Sequence, residues 1–236
     1  MKTIGLIGGI SWHSTAVYYS TINQLVQQRL GGGNAAELIL YSINHDDFKR
    51  LQAQNDWAQI EHMLTDIALK LESAGADFVM ICSNTPHKVA EAILKKISIP
   101  FLHIAEVTAS NIKQDGLQVV GLLGTKFTME DTFFTDILSK SGIDVRIPDE
   151  DDRAYIHQSI LNELSQGEFN TGTKQGYLKI IEKLASKGAQ AVILGCTEIG
   201  MLLNQSDSRI TLYDTTILHS RAAVDYSLKT DTHNEH

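Results

Sequence analysis

Cysteine is almost missing from this 236-residue chain, which has only Cys82 and Cys196. Two cysteines so far apart make neither a disulfide framework nor a CxxC knot, and no HExxH run accompanies them, so no metal is expected. Proline is scarce too, at 3 residues, and 17 glycines fall in no repeat, which excludes collagen-like and low-complexity chains. Basic charge is in deficit: 20 Lys and Arg face 28 Asp and Glu, a net charge of −8 with no basic cluster. Such a surface repels phosphate backbones, so no nucleic-acid partner is expected. No apolar run approaches the roughly 18 residues of a membrane span, and no membrane association is expected. The first residues run straight into a Gly8-Gly9 turn without a signal-peptide apolar stretch. With 43% hydrophobic residues to build a core, the expectation is a folded, soluble, cytoplasmic protein.

Short apolar runs alternate with amphipathic segments. Candidate strands are residues 4–7, 38–43, 78–81, 101–104, 117–123, 143–147, 191–194 and 210–213, mostly Val and Ile without polar alternation, as in a parallel sheet covered on both faces. The clearest helix carries Trp57, Ile60, Met63, Leu64, Ile67, Ala68 and Leu71 on one face and ends before Gly75. Pro86 suits the first turn of another, with Val89, Ala90, Ile93, Leu94 and Ile97 as its buried stripe and Pro100 as its stop. Tyr177, Ile180, Ile181 and Leu184 repeat the pattern before Gly188. The acidic run 149–152 reads as the solvated start of a helix. Strand–helix alternation throughout means an α/β fold.

The two halves resemble each other. Gly5-Leu6-Ile7-Gly8 matches Gly121-Leu122-Leu123-Gly124, and Gly75-Ala76 before one strand matches Gly188-Ala189 before another at nearly the same offset. The expectation is two similar domains, each a parallel four-stranded sheet flanked by helices, with the active site between them. Their bounds are 1–114 and 115–213, with a C-terminal helix within 214–236 returning to the first domain and a frayed tail from Lys229.

Both cysteines take the same place in this frame, after an apolar strand and before small polar residues that can open a helix: Ser83-Asn84-Thr85 after Cys82, Thr197-Glu198 after Cys196. Ligands in open α/β sheets bind beyond the carboxyl ends of the strands, where helix N-termini offer N–H groups to a carboxylate. Two thiols on opposite sides of a small acid suit proton abstraction from one face of a carbon and delivery to the other, which is a racemisation. Either cysteine alone would more often be inert core.

Segments 3–15 (TIGLIGGISWHST), 81–88 (ICSNTPHK), 121–129 (GLLGTKFTM) and 194–200 (LGCTEIG) resemble the aspartate/glutamate racemase family, in particular its bacterial aspartate racemase and broad-specificity amino acid racemase branch. The likeness extends to about residue 228. It implies a cofactor-independent, two-base racemase and a homodimer whose partner molecule is a small amino acid. Cys82 and Cys196 would be the paired acids and bases, and Ser83, Asn84, Thr85 and Thr197 would hold the substrate carboxylate. Gln52 would contact substrate and Ile10 would border the cleft.

The sequence departs from the family at several points. His13 replaces an acidic residue after Ser-Trp, Ser83 replaces a more usual Thr, and Pro86 replaces Met or Ala. The Arg with which aspartate-specific relatives hold a distal carboxylate falls near Phe48 or Lys49, and their Lys falls near Ser165. A broader or different amino acid range is expected.

Other residues keep two readings. Glu198 could tune Cys196 or be an ordinary first-turn charge. His87 could pair with Cys82 or cap and pack, and His103 could line the cleft or be a satisfied buried histidine. Trp12, Tyr18 and Tyr19 suit packing or subunit contact. The Gly5–Gly9 turn lacks GxGxxG spacing and an acidic residue after the second strand, which argues against a dinucleotide. The remaining alternatives are a related two-cysteine enzyme on the same fold (a hydantoin racemase, a maleate isomerase or an arylmalonate decarboxylase-like protein) and a non-catalytic protein that binds an acidic metabolite.

Overall fold

A computed structural model describes residues 1–229; positions 230–236, most of the expected tail, lie outside the described residues. Chain contacts divide it into two compact units. Among the described residues the first comprises 1–82, 89–102 and 219–229, and the second 83–88 and 103–218.

The first unit runs β1 (Ile4–Gly8), α1 (Trp12–Leu30), β2 (Leu38–Ser42), α2 (His45–Ala53), α3 (Trp57–Ser73), β3 (Phe78–Ile81) and α4 (Ala90–Leu94). Its sheet is parallel, in the order β2-β1-β3. β1 and β3 are wholly buried because helices cover both faces: Ile60, Leu64, Ile67 and Leu71 of α3 with Ile93 of α4 on one side, Tyr18, Ile22 and Val26 of α1 with Ala223 and Val224 on the other. The edge strand β2 is not buried as its apolar sequence suggests, and Leu40 and Tyr41 face solvent.

This sheet has three strands and not the expected four. Residues 101–104 form a single bridge, Phe101 to Val79, because Pro100 lacks the N–H a ladder needs and His103 already caps a helix at Ile104. The helix expected from Pro86 is also broken. Residues Thr85–Val89 form a 3₁₀ turn, α4 is one short piece, and Leu94 is exposed while Val89, Ala90, Ile93 and Ile97 are buried.

The second unit runs α5 (Ile104–Gln114), β4 (Val119–Gly124), α6 (Lys126–Glu130), α7 (Thr132–Lys140), β5 (Asp144–Arg146), α8 (Glu150–Asn162), α9 (Thr171–Ser186), β6 (Ala191–Gly195), α10 (Thr197–Leu202), β7 (Thr211–Asp214) and α11 (Thr215–Ser227). Its parallel sheet has the order β5-β4-β6-β7. One face packs Ile156, Tyr177, Ile181 and Leu184 of α8 and α9, the other Ala105, Ala109 and Ile112 of α5 with Phe134 and Leu138 of α7. Asp149 caps α8 by accepting the Asp152 N–H, and three acidic residues fill the first turn, where the helix dipole favours them.

The compact units are not the sequence segments 1–114 and 115–213. Helix α5 buries its apolar stripe with β4 and so counts with the second unit. Helix α11 is divided: residues 215–218 count with the second unit, and the rest, with Ala223 and Val224 in the first core, with the first.

The internal likeness of the halves has a packing cause. Gly5 pairs with Val79 on the neighbouring strand and Gly121 with Val192, and a Cβ on either glycine would lie 2.9 Å from that valine's methyl carbon. Gly9 is fixed by its backbone: φ is +84°, and a Cβ would lie 2.1 Å from the Ile43 carbonyl oxygen. Gly9→Ala is expected to cost about 2 kcal/mol of stability, read as a lower urea midpoint at unchanged slope.

Candidate active site

Cys82 directly follows β3, and its N–H donates to the Ile7 carbonyl at 2.9 Å, extending the β1–β3 ladder by one residue. The side chain is 1% exposed, and desolvation pushes its thiol far above the ordinary range. The loop after β1 is knit by hydroxyls. The Gly9 N–H donates to Thr15 Oγ1 at 2.9 Å, and that hydroxyl donates to the Ser11 carbonyl at 3.0 Å. Ile10 is buried in the apolar core of this unit, and Gln52 sits half-buried near the end of α2.

The rest of the candidate site belongs to the second unit. Cys196 caps α10 at the end of β6, and its thiol donates to Glu198 Oε2 at 3.0 Å. Thr197 and Glu198 are both buried, so the carboxylate is not an ordinary solvated first-turn charge. Burial raises the Cys196 thiol well above its usual range, and the Glu198 carboxylate raises it further, since a neighbouring negative charge opposes thiolate formation. Both thiols therefore rest protonated at neutral pH.

β4 ends beside β6 in register, Gly124 opposite Gly195, so Thr125 and Cys196 emerge from adjacent strand ends. Thr85 Oγ1 lies 2.9 Å from Thr125 Oγ1 and 3.4 Å from Thr128 Oγ1, and the last two are 3.2 Å apart. Asn84 is anchored by its amide: Nδ2 donates to Thr215 Oγ1 at 3.1 Å, and that hydroxyl donates to the Leu194 carbonyl at 2.9 Å. Its buried Oδ1 has no hydrogen-bond partner among the described residues. An unmet buried acceptor is costly unless a ligand donor completes it.

His87 is a structural clasp. Nδ1 lies 2.8 Å from the Ser83 carbonyl and so carries the proton, while Nε2 accepts the Ile104 N–H at 3.3 Å. Both ring nitrogens are spent on holding the 83–84 turn against the start of α5. His103 stacks edge-on against it with centroids 4.7 Å apart, accepts the Ala105 N–H, and is held neutral by burial, its pKa lowered to about 4.

Sequence reasoning missed Thr125, Thr128 and Thr215. The signal was present for the first: Gly124-Thr125 ends β4 as Gly195-Cys196 ends β6. Thr215 gave none, because its contacts span long stretches of chain. Among the described residues no group of three or more His, Cys, Asp or Glu is arranged to hold a metal ion, and no helix is long and apolar enough to cross a membrane.

Comparison with known proteins gives consistent likenesses. The Asp/Glu/hydantoin racemase family profile matches residues 7–223. The broad specificity amino-acid racemase RacX of Bacillus subtilis is 25% identical over 234 residues, covering 94% of this chain and 96% of that protein. The crystal structure of a candidate Asp/Glu racemase from Yersinia pestis superposes with a TM-score of 0.91 at 44% identity, covering 97% of this chain and 100% of that one. An aspartate racemase homologue from Pyrococcus horikoshii OT3 gives 0.86 at 32% identity, with the same coverage.

Proposed function

Since the chain belongs to the Asp/Glu/hydantoin racemase family, we propose that it interconverts L- and D-amino acids without a cofactor, by 1,1-proton transfer between Cys82 and Cys196, as a cytoplasmic homodimer. The observation that carries this reading is the like setting of the two cysteines. Each is the residue directly after a wholly buried strand of a parallel sheet, each thiol is buried, and each is followed at once by small polar residues, Ser83-Asn84 in one case and Thr197 at the start of α10 in the other.

In the reaction one sulfur, as thiolate, takes the α-hydrogen as a proton and leaves the bonding pair on carbon, delocalised into the carboxylate. The other sulfur, as thiol, gives its proton to the opposite face. The carbon is inverted, and thiol and thiolate have exchanged, so the reverse reaction starts from the product state. The backbone N–H groups of residues 83–85 and Thr197 would hold the carboxylate and stabilise the charge that builds on it. The free Asn84 Oδ1 would accept an N–H from the substrate ammonium, supplying the donor it lacks. Because both thiols rest protonated, one must lose its proton before the first turnover, and the Glu198 carboxylate, already bonded to Cys196 Sγ, would accept it.

With no Arg at position 48 or 49 and Ser165 where a Lys would stand, amino acids beyond aspartate are favoured, and the broad-specificity relative from Bacillus subtilis points the same way. Proton NMR in D₂O, with aspartate, glutamate, homoserine, methionine and lysine and no added cofactor, tests both points. Loss of the α-proton signal together with the D-enantiomer is expected for more than the acidic pair. Reduced, folded protein that exchanges none of them would remove the racemase reading and favour the related isomerase or decarboxylase chemistries.

A further inference from the structure

The second unit carries a cleft that the racemase chemistry does not use. It has a volume of about 400 Å³ and lies between the last turns of α9 and the loop that leads into β7. Its apolar wall is Leu178, Ile181 and Ala185 of α9, faced by Ile210. The loop opposite is held in shape by side chains. Gln205 Nε2 donates to the Ile210 carbonyl at 3.1 Å, Gln205 Oε1 accepts the Leu212 N–H at 2.8 Å, and Ser208 Oγ donates to the Ile210 carbonyl at 3.0 Å. Asp207 is consumed by Lys174 at 2.8 Å and by the Asn204 N–H at 3.0 Å.

Two charges in the cleft are not consumed. Glu182 on the α9 bank and Arg209 on the loop bank both line it, and neither side chain has an ion pair or hydrogen bond among the described residues. Opposite charges that share a cleft without closing on each other leave room for a ligand carrying both signs. The walls between them are aliphatic, and the volume lies within the range of small-molecule sites.

We propose that this cleft binds a free α-amino acid with an aliphatic side chain, its carboxylate on Arg209, its ammonium on Glu182 and its side chain against Ile181 and Ile210. A guanidinium suits a carboxylate because its two parallel N–H groups match the two oxygens. The site is separate from the reacting cysteines. The cleft adjoins the residues that precede β7 and β6, whereas Cys196 follows the far end of β6, about 15 Å away by strand length. It therefore goes beyond the racemase reading and stands without it.

The test is a titration of protein labelled at isoleucine δ1 methyls with L-leucine, followed by methyl NMR. Saturable shifts are expected at Ile181 and Ile210, with R209Q and E182Q each weakening them by about tenfold or more. 4-Methylpentanoate, which lacks the ammonium, and leucinol, which lacks the carboxylate, should each bind about tenfold more weakly. No shift at these two methyls, undiminished shifts in both variants, or equal binding of either analogue would overturn the proposal. Loss of the leucine α-proton signal in D₂O reports the catalytic site separately, so failure of one reading is not mistaken for failure of the other.

Discussion

Cys196→Ser is expected to slow racemisation by at least about a thousandfold while leaving the fold intact, the scale on which a positioned acid–base group acts. A serine hydroxyl is close in size to the thiol but far less acidic, so the variant keeps the packing and loses the proton carrier. Cys82→Ser should do the same, since inversion needs both sulfurs. The two losses should not add, because removing either partner already stops the exchange. The control is thermal unfolding: each serine variant should melt within a few degrees of the parent. Either variant with racemisation within tenfold of the parent would end the two-thiol mechanism.

Glu198→Gln separates tuning from packing, because its two readouts move in opposite senses. The carboxylate raises the Cys196 thiol pKa, so its removal should shift alkylation of that thiol by iodoacetamide towards lower pH. The same change removes the group that would take the thiol proton, so racemisation should fall by about a hundredfold. A merely structural glutamate would lower activity and stability together without moving the alkylation profile. An alkaline shift, or unchanged activity, would dispose of the proposed relay.

The strands, the doubled frame and the two cysteines were legible because they are local patterns: apolar runs of strand length, repeated glycines, and small polar residues after each run. What the sequence hid was set by neighbours distant in the chain. Residues 101–104 are as apolar as a strand, but a proline before them and a capping histidine within them leave one bridge. Leu94 fits a helical stripe by spacing, yet it ends the short helix α4 on the exposed side while Ile93 and Ile97 are buried. Leu40 and Tyr41 read as core only if β2 has neighbours on both sides, and strand order denies it one. The threonines were hidden for the same reason, since Thr85, Thr125 and Thr128 acquire meaning only when a turn and a strand end meet.

The division of the chain into units also bears on its synthesis. All of the second unit has been made once residue 218 is joined, and its sheet and both its cores are then complete. The first unit is begun earlier and finished later. Tyr18, Ile22, Val26, Phe78 and Met80 wait for Ala223 and Val224 to cover them, and the Tyr18 hydroxyl waits for His219 Nδ1, 3.0 Å away in the finished protein. On a ribosome working from the N-terminus, the half made first therefore stays open until the last helix emerges, and it is in that interval that the chain is most exposed to chaperones and proteases.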